Sequence, residues 1–196
     1  ASDVYKRQVG NITVKNNSKA EQKGNVYYKD VFTKLKALEE DVTDHFGRPA
    51  TTWKYDGKEI GTYAKTADAT YTTEVKEKDL WKDLDIGKGD SLKFDYYVDG
   101  KESTITVDKD SKDKLGGNGV VLEAFYDTDK DGKVSVSTIV VINTYFGQVD
   151  DVDKNDKKER IVTVDGIDYV TNEFEEDDKV IYTKGLDGKD EVIMSM

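Results

Sequence analysis

Apolar and polar residues alternate along most of the chain, and short breaks rich in Gly, Asp and Asn separate the alternating stretches. Alternation with a period of two is typical of β-strands that bury one face. In the first half of the chain it predicts two hairpins, residues 52–55 with 59–63 and residues 92–98 with 103–107.

After Gly119 the pattern is almost entirely that of strands, at residues 120–126, 134–146, 161–164, 167–170, 179–183 and 191–194. The stretch 134–146 is much longer than the usual strand of about 5–6 residues. We therefore expect it to bend or bulge, as strands do at the corner of a small barrel. These elements predict a small antiparallel β-barrel or sandwich.

Asp-Gly pairs stand between the alternating stretches. A two-residue hairpin turn of type I′ needs positive φ at both central residues, which Asp tolerates and Gly adopts without steric cost. Five such pairs predict repeated tight hairpins: Asp56-Gly57, Asp99-Gly100, Asp131-Gly132, Asp165-Gly166 and Asp187-Gly188.

Two segments have helical spacing instead. In residues 30–40 the apolar residues Val31, Phe32, Leu35 and Leu38 form one stripe, which predicts a helix of about three turns. A shorter helix is predicted at residues 78–84, with Gly87 as its terminator. A further short strand is predicted at residues 9–15.

The predicted fold class is mainly β with a minor α component. The segment 108–119 has no periodicity and many Gly and charged residues, which is typical of a linker. We therefore expect an N-terminal tail at residues 1–24, an α+β hairpin domain with one or two helices at 25–110, and an all-β domain at 117–196. The first eight residues differ from the rest of the chain in their balance of residue types and resemble a fusion or sequencing scar rather than a native start.

The net charge of the chain limits the kinds of partner that it can bind. The chain has 196 residues, with 41 acidic and 30 basic side chains and a net charge of −11. Such a chain repels the phosphates of nucleic acids, and we expect no nucleic-acid binding. It contains no cysteine, so disulfides and thiolate metal sites are excluded. No apolar stretch approaches the roughly 20 residues of a membrane span, so no membrane insertion is expected.

The loop around Asp131 resembles the first half of a calcium-binding loop. Asp127, Asp129, Asp131 and Ser135 place oxygen atoms at the spacing of the first, third, fifth and ninth positions of that loop, and Gly132 fills the sixth. Thr138 stands where a bidentate Glu is needed, and both flanks have the pattern of strands. The loop is therefore either a solvated hairpin tip or a weak calcium site; no other cofactor is expected. Residues 150–156 repeat the acidic pattern and are predicted to form a solvated loop.

No catalytic motif is present. His45 is the only histidine and has no Ser or Asp partner at a triad spacing. No nucleophile elbow, zinc motif or phosphate loop appears, so the chain is not expected to be an enzyme. Aromatic residues offer a different chemistry: Trp53 and Trp81, or a surface Tyr, are candidate stacking plates for a sugar, although strand propensity also accounts for many aromatics.

Several stretches resemble a module of S-layer homology domain proteins of gut Clostridia and their relatives. They are DHFGRP at 44–49, TWKYDGKEIGTYA at 52–64, ATYT at 69–72, GVVLEAFY at 119–126, IVVINTY at 139–145 and EFEEDDKVIY at 173–182. The resemblance covers roughly residues 25–196 and includes none of the wall-binding repeats themselves.

This resemblance implies an exported protein of the cell wall or S-layer, in which this region projects from anchoring repeats. It implies no catalytic residues. From it we expect a non-catalytic structural or interaction module whose partners are other surface-protein domains or cell-wall glycan. The alternative is a carbohydrate-binding module that uses surface aromatics.

Overall fold

A computed structural model describes residues 34–185 and 193–195. Predictions that fall on residues 1–33, 186–192 or 196 lie outside this range; they include the strand at 9–15, the start of the helix at 30–40 and the Asp187-Gly188 turn. The described chain divides into two compact units. Unit 1 comprises residues 34–44 and 48–66, and unit 2 comprises 45–47 and the residues from 67 onward.

Unit 1 contains an antiparallel three-stranded sheet in the order β1-β2-β3. The strands are β1 (Leu35–Thr43), β2 (Pro49–Tyr55) and β3 (Lys58–Ala64). β2 and β3 are the first predicted hairpin, which is confirmed. The helix predicted at 30–40 is wrong over residues 35–40, because these residues pair with β2 instead. Two irregularities in that pairing break the period-two pattern, which explains why the segment lacks the alternation of a strand.

Unit 2 begins with a five-stranded sheet in the order β4-β9-β10-β6-β7. Its strands are β4 (Ala69–Tyr71), β6 (Ser91–Val98), β7 (Lys101–Asp108), β9 (Val120–Thr128) and β10 (Val134–Asn143). The second predicted hairpin, β6 with β7, is confirmed. β10 runs parallel to β6 and antiparallel to β9. Central β10 is consequently buried along its second half, where apolar residues follow one another without alternation.

One helix, α1 (Glu77–Asp83), contributes to the core of this sheet and confirms the prediction for residues 78–84. Acidic residues in its first turn and Lys82 in its last turn complement the helix dipole. Leu80 and Trp81 pack with Phe94 and Leu122 of the sheet. The helix ends before Gly87, since Asp85 already has a φ of +54°. A two-stranded ladder of β5 (Val75–Lys76) and β8 (Lys114–Leu115) flanks it.

The second sheet of unit 2 is antiparallel and has the order β13-β12-β11-β14-β15. Its strands are β11 (Tyr145–Lys154), β12 (Arg160–Val164), β13 (Ile167–Val170), β14 (Lys179–Tyr182) and β15 (Ile193–Ser195). Val149, Val162, Val164 and Val180 are fully buried at its core. Among the described strands the sheet is open, because β13 and β15 do not pair. It fits the sandwich prediction rather than a closed barrel.

A single residue, Thr144, separates β10 from β11 and thereby the two sheets. The long strand predicted at 134–146 therefore breaks at this residue, in agreement with the expected bend. The predicted linker at 108–119 instead contains β8 and connects β7 to β9, two strands of the same sheet.

Three of the Asp-Gly pairs form turns of the expected type. Asp56, Asp99 and Asp165 each have a φ of +50°, and the following glycines have φ between +76° and +80°. At Asp131-Gly132 only the glycine has positive φ, because the loop between β9 and β10 is longer. The prediction of a loop at 150–156 is wrong for residues 150–154. These residues belong to β11, which pairs with β12.

Candidate functional site

Among the described residues, a cluster of side-chain hydrogen bonds lies where the β6–β7 turn meets the junction of β10 and β11. The carboxylate of Asp99 accepts hydrogen bonds from the backbone N–H of Asn143 (3.0 Å), from its side-chain amide (3.1 Å) and from the hydroxyl of Tyr145 (2.5 Å). The backbone N–H of Asp99 also donates to the carbonyl of Val141, at 3.0 Å. We call Asp99, Asn143 and Tyr145 the junction cluster; it fixes the first sheet to the first residue of the second.

Electrostatics favour the protonated phenol in this cluster. The hydrogen bond to Asp99, together with partial burial and the negative charge of that carboxylate, raises the pKa of Tyr145 to about 12. The carboxylate of Asp99 accepts hydrogen bonds from all three of these donors, which is the usual condition for a partly buried carboxylate.

A pair of stacked rings extends the cluster into the second sheet. The rings of Tyr145 and Tyr182 have centroids 5.6 Å apart and planes at 29°. The ammonium of Lys184 lies 4.2 Å from the centroid of Tyr145, a cation–π contact, and 3.7 Å from a carboxylate oxygen of Asp165. Tyr182 donates its hydroxyl to the same carboxylate, at 3.0 Å. Burial and this bond raise the pKa of Tyr182.

A cleft of about 530 Å³ opens beside Asp99, Tyr145 and Lys184. Its volume is within the range of roughly 300–1,000 Å³ found for small-ligand sites. The remaining wall combines apolar, hydroxyl and charged side chains: Val98, Lys101, Glu102, Ser103 and Ile167.

A second concavity, of about 350 Å³, lies between α1 and β4. Here Tyr71 donates its hydroxyl to Asp83 at 2.5 Å, and Lys114 forms an ion pair with Glu74 at 2.8 Å. Burial and the neighbouring carboxylate raise the pKa of Tyr71. These interactions connect β4 to α1 and β8 to the β4–β5 loop, which is a structural role.

Of the predicted calcium ligands, Asp129 and Asp131 lie in the exposed loop between β9 and β10, whereas Asp127 belongs to the end of β9 and Ser135 to the start of β10. One carboxylate oxygen of Asp129 accepts hydrogen bonds from the N–H groups of Asp131 (2.8 Å) and Lys133 (3.0 Å). The carboxylate of Asp127 accepts from the N–H of Thr128, at 2.8 Å. Within residues 34–185 and 193–195, no group of three or more acidic or histidine side chains has the arrangement of a metal site. Calcium binding by Asp127, Asp129, Asp131 and Ser135 stays a prediction.

The two tryptophans differ in accessibility. Trp81 is only 7% exposed and belongs to the core beneath α1, so its ring presents little surface to a sugar. Trp53, on β2 of unit 1, is half-buried, and its indole N–H has no hydrogen-bond partner in the part of the chain that the structure describes. His45 contacts the ring of Phe46, with centroids 4.3 Å apart.

The sequence predicts Asp99 only as a turn residue, and no pattern in it marks Tyr145 or Lys184 as site residues. The spacing of 46 residues between Asp99 and Tyr145 has no motif that predicts their contact. It follows from the parallel pairing of β10 with β6, which brings Val141 level with Val98 at the start of the turn.

Comparison of the chain with models of known protein families, with curated proteins and with solved structures found no match. In the described part of the chain, no helix is both long enough and apolar enough to cross a bilayer.

Proposed function

We propose that this chain is a non-catalytic structural and interaction module of a bacterial surface protein, located outside the cell in the cell wall or S-layer. Its partners are then other surface-protein domains or cell-wall glycan. The proposed location is supported by the resemblance of residues 44–64 and 119–182 to S-layer homology domain proteins.

The junction cluster carries the structural part of the proposal. Its three side chains are engaged with one another, and the acceptor atoms of Asp99 are occupied by Asn143 and Tyr145. Hydrogen bonds of this kind hold the turn of the first sheet against the first residue of the second. A general acid or base, in contrast, must have access to a substrate proton. Structural use of the cluster therefore accounts for its geometry better than catalytic use.

The distribution of charge supports an exposed, hydrated surface. Acidic residues stand at exposed positions of β11, at Asp150, Asp151 and Asp153, within a chain of net charge −11. Charges on sheet surfaces and edges oppose unspecific pairing between sheets, so a module in a crowded surface layer remains selective in its contacts.

The proposal is tested by co-sedimentation of the purified chain with cell-wall preparations and with surface-protein domains from a Clostridial extract, alongside assays of glycan, peptide and ester hydrolysis. We expect saturable binding to one of the two fractions and no turnover. Turnover of any substrate above a heat-denatured control, or the absence of binding to both fractions, would contradict it.

A carbohydrate-binding module is the second candidate, and the cleft beside Tyr145 is the observation that favours it. The ring of Tyr145 lines the cleft and is stacked on the ring of the buried Tyr182, while Lys101, Glu102 and Ser103 supply polar groups for hydroxyls. In this candidate Tyr145 takes the place of Trp81 as the aromatic contact.

Titration with wall-derived glycans distinguishes the second candidate. Binding that is lost in Ser103→Trp, which fills the cleft, and retained in Thr128→Trp, on the exposed far end of β9, supports the cleft as the site. No glycan response in the wild-type chain excludes it. Trp53→Phe is the matching test for the tryptophan of unit 1.

A further inference from the structure

Asn118 differs from the other asparagines of the sequence in the residue that follows it. It is the only asparagine in the 196-residue sequence that is followed by glycine. Its side chain is exposed, and it occupies a turn in which the N–H of Val120 donates to the carbonyl of Gly117 at 3.3 Å. Gly119 follows with a φ of +74°, a conformation that glycine adopts without steric cost.

The backbone nitrogen of Gly119 belongs to an exposed residue, directly after the exposed side chain of Asn118. In the described part of the chain, this N–H donates no hydrogen bond. Gly119 has no side chain to shield it, and a Cβ atom at this position would have the hydroxyl oxygen of Thr144 as its nearest neighbour, at 3.3 Å. A nucleophile and an amide carbon therefore stand on adjacent residues without a competing partner.

The other described asparagines are held by their surroundings or lack the glycine. The side chain of Asn143 donates to Asp99. The carbonyl oxygen of Asn155 accepts from the N–H groups of Lys157 (3.0 Å) and Glu159 (2.9 Å). Asn172 is exposed, but a side-chain-bearing residue, Glu173, follows it. The sequence and the turn therefore both single out Asn118.

From this geometry we propose that Asn118 is a site of spontaneous deamidation, and that its conversion to isoaspartate weakens the junction between the two sheets of unit 2. The nitrogen of Gly119 attacks the side-chain carbonyl carbon of Asn118, and the new N–C bond closes a succinimide ring. The bond from that carbon to the amide nitrogen breaks, and ammonia leaves with the proton lost by Gly119. Water then opens the ring to aspartate or isoaspartate.

Isoaspartate at residue 118 affects the junction between the sheets through the backbone carbonyl of Gly119. The carbonyl oxygen of Gly119 accepts hydrogen bonds from both the backbone N–H (3.0 Å) and the hydroxyl (2.7 Å) of Thr144. Thr144 is the one residue between β10 and β11. Isoaspartate adds a methylene group to the main chain immediately before Gly119, so this carbonyl no longer reaches both donors in the present geometry.

The test is incubation of the folded chain at mildly alkaline pH, followed by peptide mapping, measurement of released ammonia and detection of isoaspartate with an isoaspartyl methyltransferase. We expect residue 118 to convert at least about tenfold faster than residues 143, 155 and 172, which corresponds to about 1.4 kcal/mol in activation free energy. Ammonia release distinguishes this reaction from isomerisation at the Asp-Gly pairs, which releases none. Equal rates at all four asparagines, or conversion of residue 118 only after unfolding in urea, would overturn the assignment.

The effect on the junction has its own control. Asn118→Asp, measured before its new Asp-Gly pair isomerises, carries the same charge as the deamidated chain but has an ordinary backbone, and Asn118→Ser cannot release ammonia at this position. We expect the isoaspartate form to unfold at a lower urea concentration than Asn118→Asp, and amide exchange at Thr144 to be faster. If the two forms unfold together and exchange alike, the proposed link to the junction is wrong.

Discussion

The hydroxyl of Tyr145 donates a 2.5 Å hydrogen bond to the carboxylate of Asp99, across 46 residues of sequence. Asp99 belongs to the turn of one sheet, and Tyr145 is the first residue of the next. The contact therefore joins two sheets through side chains at the place where the main chain passes between them.

Removal of this hydroxyl tests its contribution to stability. We predict that Tyr145→Phe lowers the free energy of unfolding by about 1–2 kcal/mol, because a partly buried carboxylate loses one of its three donors. Urea-induced unfolding, followed by the fluorescence of the buried Trp81, measures the change.

A double-mutant cycle with Asp99→Asn isolates the pair. Asn keeps the left-handed turn conformation of residue 99, so the turn itself is preserved. We expect a coupling energy of roughly 1 kcal/mol between the two substitutions. Strict additivity would mean that the contact contributes nothing to folding.

We predict that unit 2 loses stability at alkaline pH, in the range in which Tyr145 loses its proton. Its pKa is raised from 10.0 to about 12 in the folded chain, so the folded state retains a proton that the unfolded state has lost between these values. By linkage, the stabilisation is complete below pH 10 and is lost as the pH rises towards about 12. The difference in unfolding free energy between wild type and Tyr145→Phe should shrink over this window, whereas a constant difference would contradict the assigned cause.

Gly47 is predicted to tolerate no side chain. It has a φ of +93°, and a Cβ atom there would overlap the ring of Tyr97. We expect Gly47→Ala to cost about 3 kcal/mol, from backbone strain together with steric overlap. The control is Gly132→Ala, which also has positive φ but open space around it and should cost only about 1 kcal/mol. If thermal denaturation shows similar losses of stability in the two variants, backbone strain alone accounts for them and overlap with Tyr97 contributes nothing.

Arg160 is predicted to stabilise the segment between β13 and β14. Its guanidinium donates to the carbonyl oxygens of Thr171 (3.2 Å), Glu173 (2.9 Å) and Phe174, while Glu175 provides an ion pair at 3.1 Å. Lysine keeps the charge but not the planar arrangement of donors, so Arg160→Lys should cost roughly 1.5–3 kcal/mol. Glu175→Gln, at an exposed position, is the control and should cost less than about 1 kcal/mol. Hydrogen exchange of residues 171–175 should increase in the first variant only.

Asp129 is predicted to organise the β9–β10 loop without a metal. Asp129→Ala removes the acceptor for two backbone N–H groups and should lower stability by about 1 kcal/mol in the presence of a chelator, while Asp131→Ala should have little effect. Calorimetric titration of the wild type with calcium tests the metal separately. Absence of heat at millimolar calcium would exclude the site formed by Asp127, Asp129, Asp131 and Ser135.

Local chemistry determines those parts of the fold that could be predicted from the sequence. Asp-Gly pairs predicted the turns at residues 56, 99 and 165 because positive φ at both positions is a local requirement. The helix at 78–84 was predictable because its apolar stripe is buried against one sheet. The segment 35–40 was not, because Leu35 and Leu38 have helical spacing, yet pairing with β2 buries the first and leaves the second 50% exposed.

The junction cluster could not be predicted from local patterns. It depends on the parallel alignment of β6 with β10, which connects segments more than about 40 residues apart. Periodicity indicates which face of a strand is buried, but it does not indicate the neighbouring strand. For the same reason Trp81 was a candidate sugar contact in the sequence and is a core residue in the fold.

The break at Thr144 has one more implication. Because only one residue connects β10 to β11, no loop between them can extend. A force applied to either strand is therefore transmitted directly to the other. Inserting a few flexible residues beside Thr144 would decouple the two sheets under load while leaving their separate ladders unchanged.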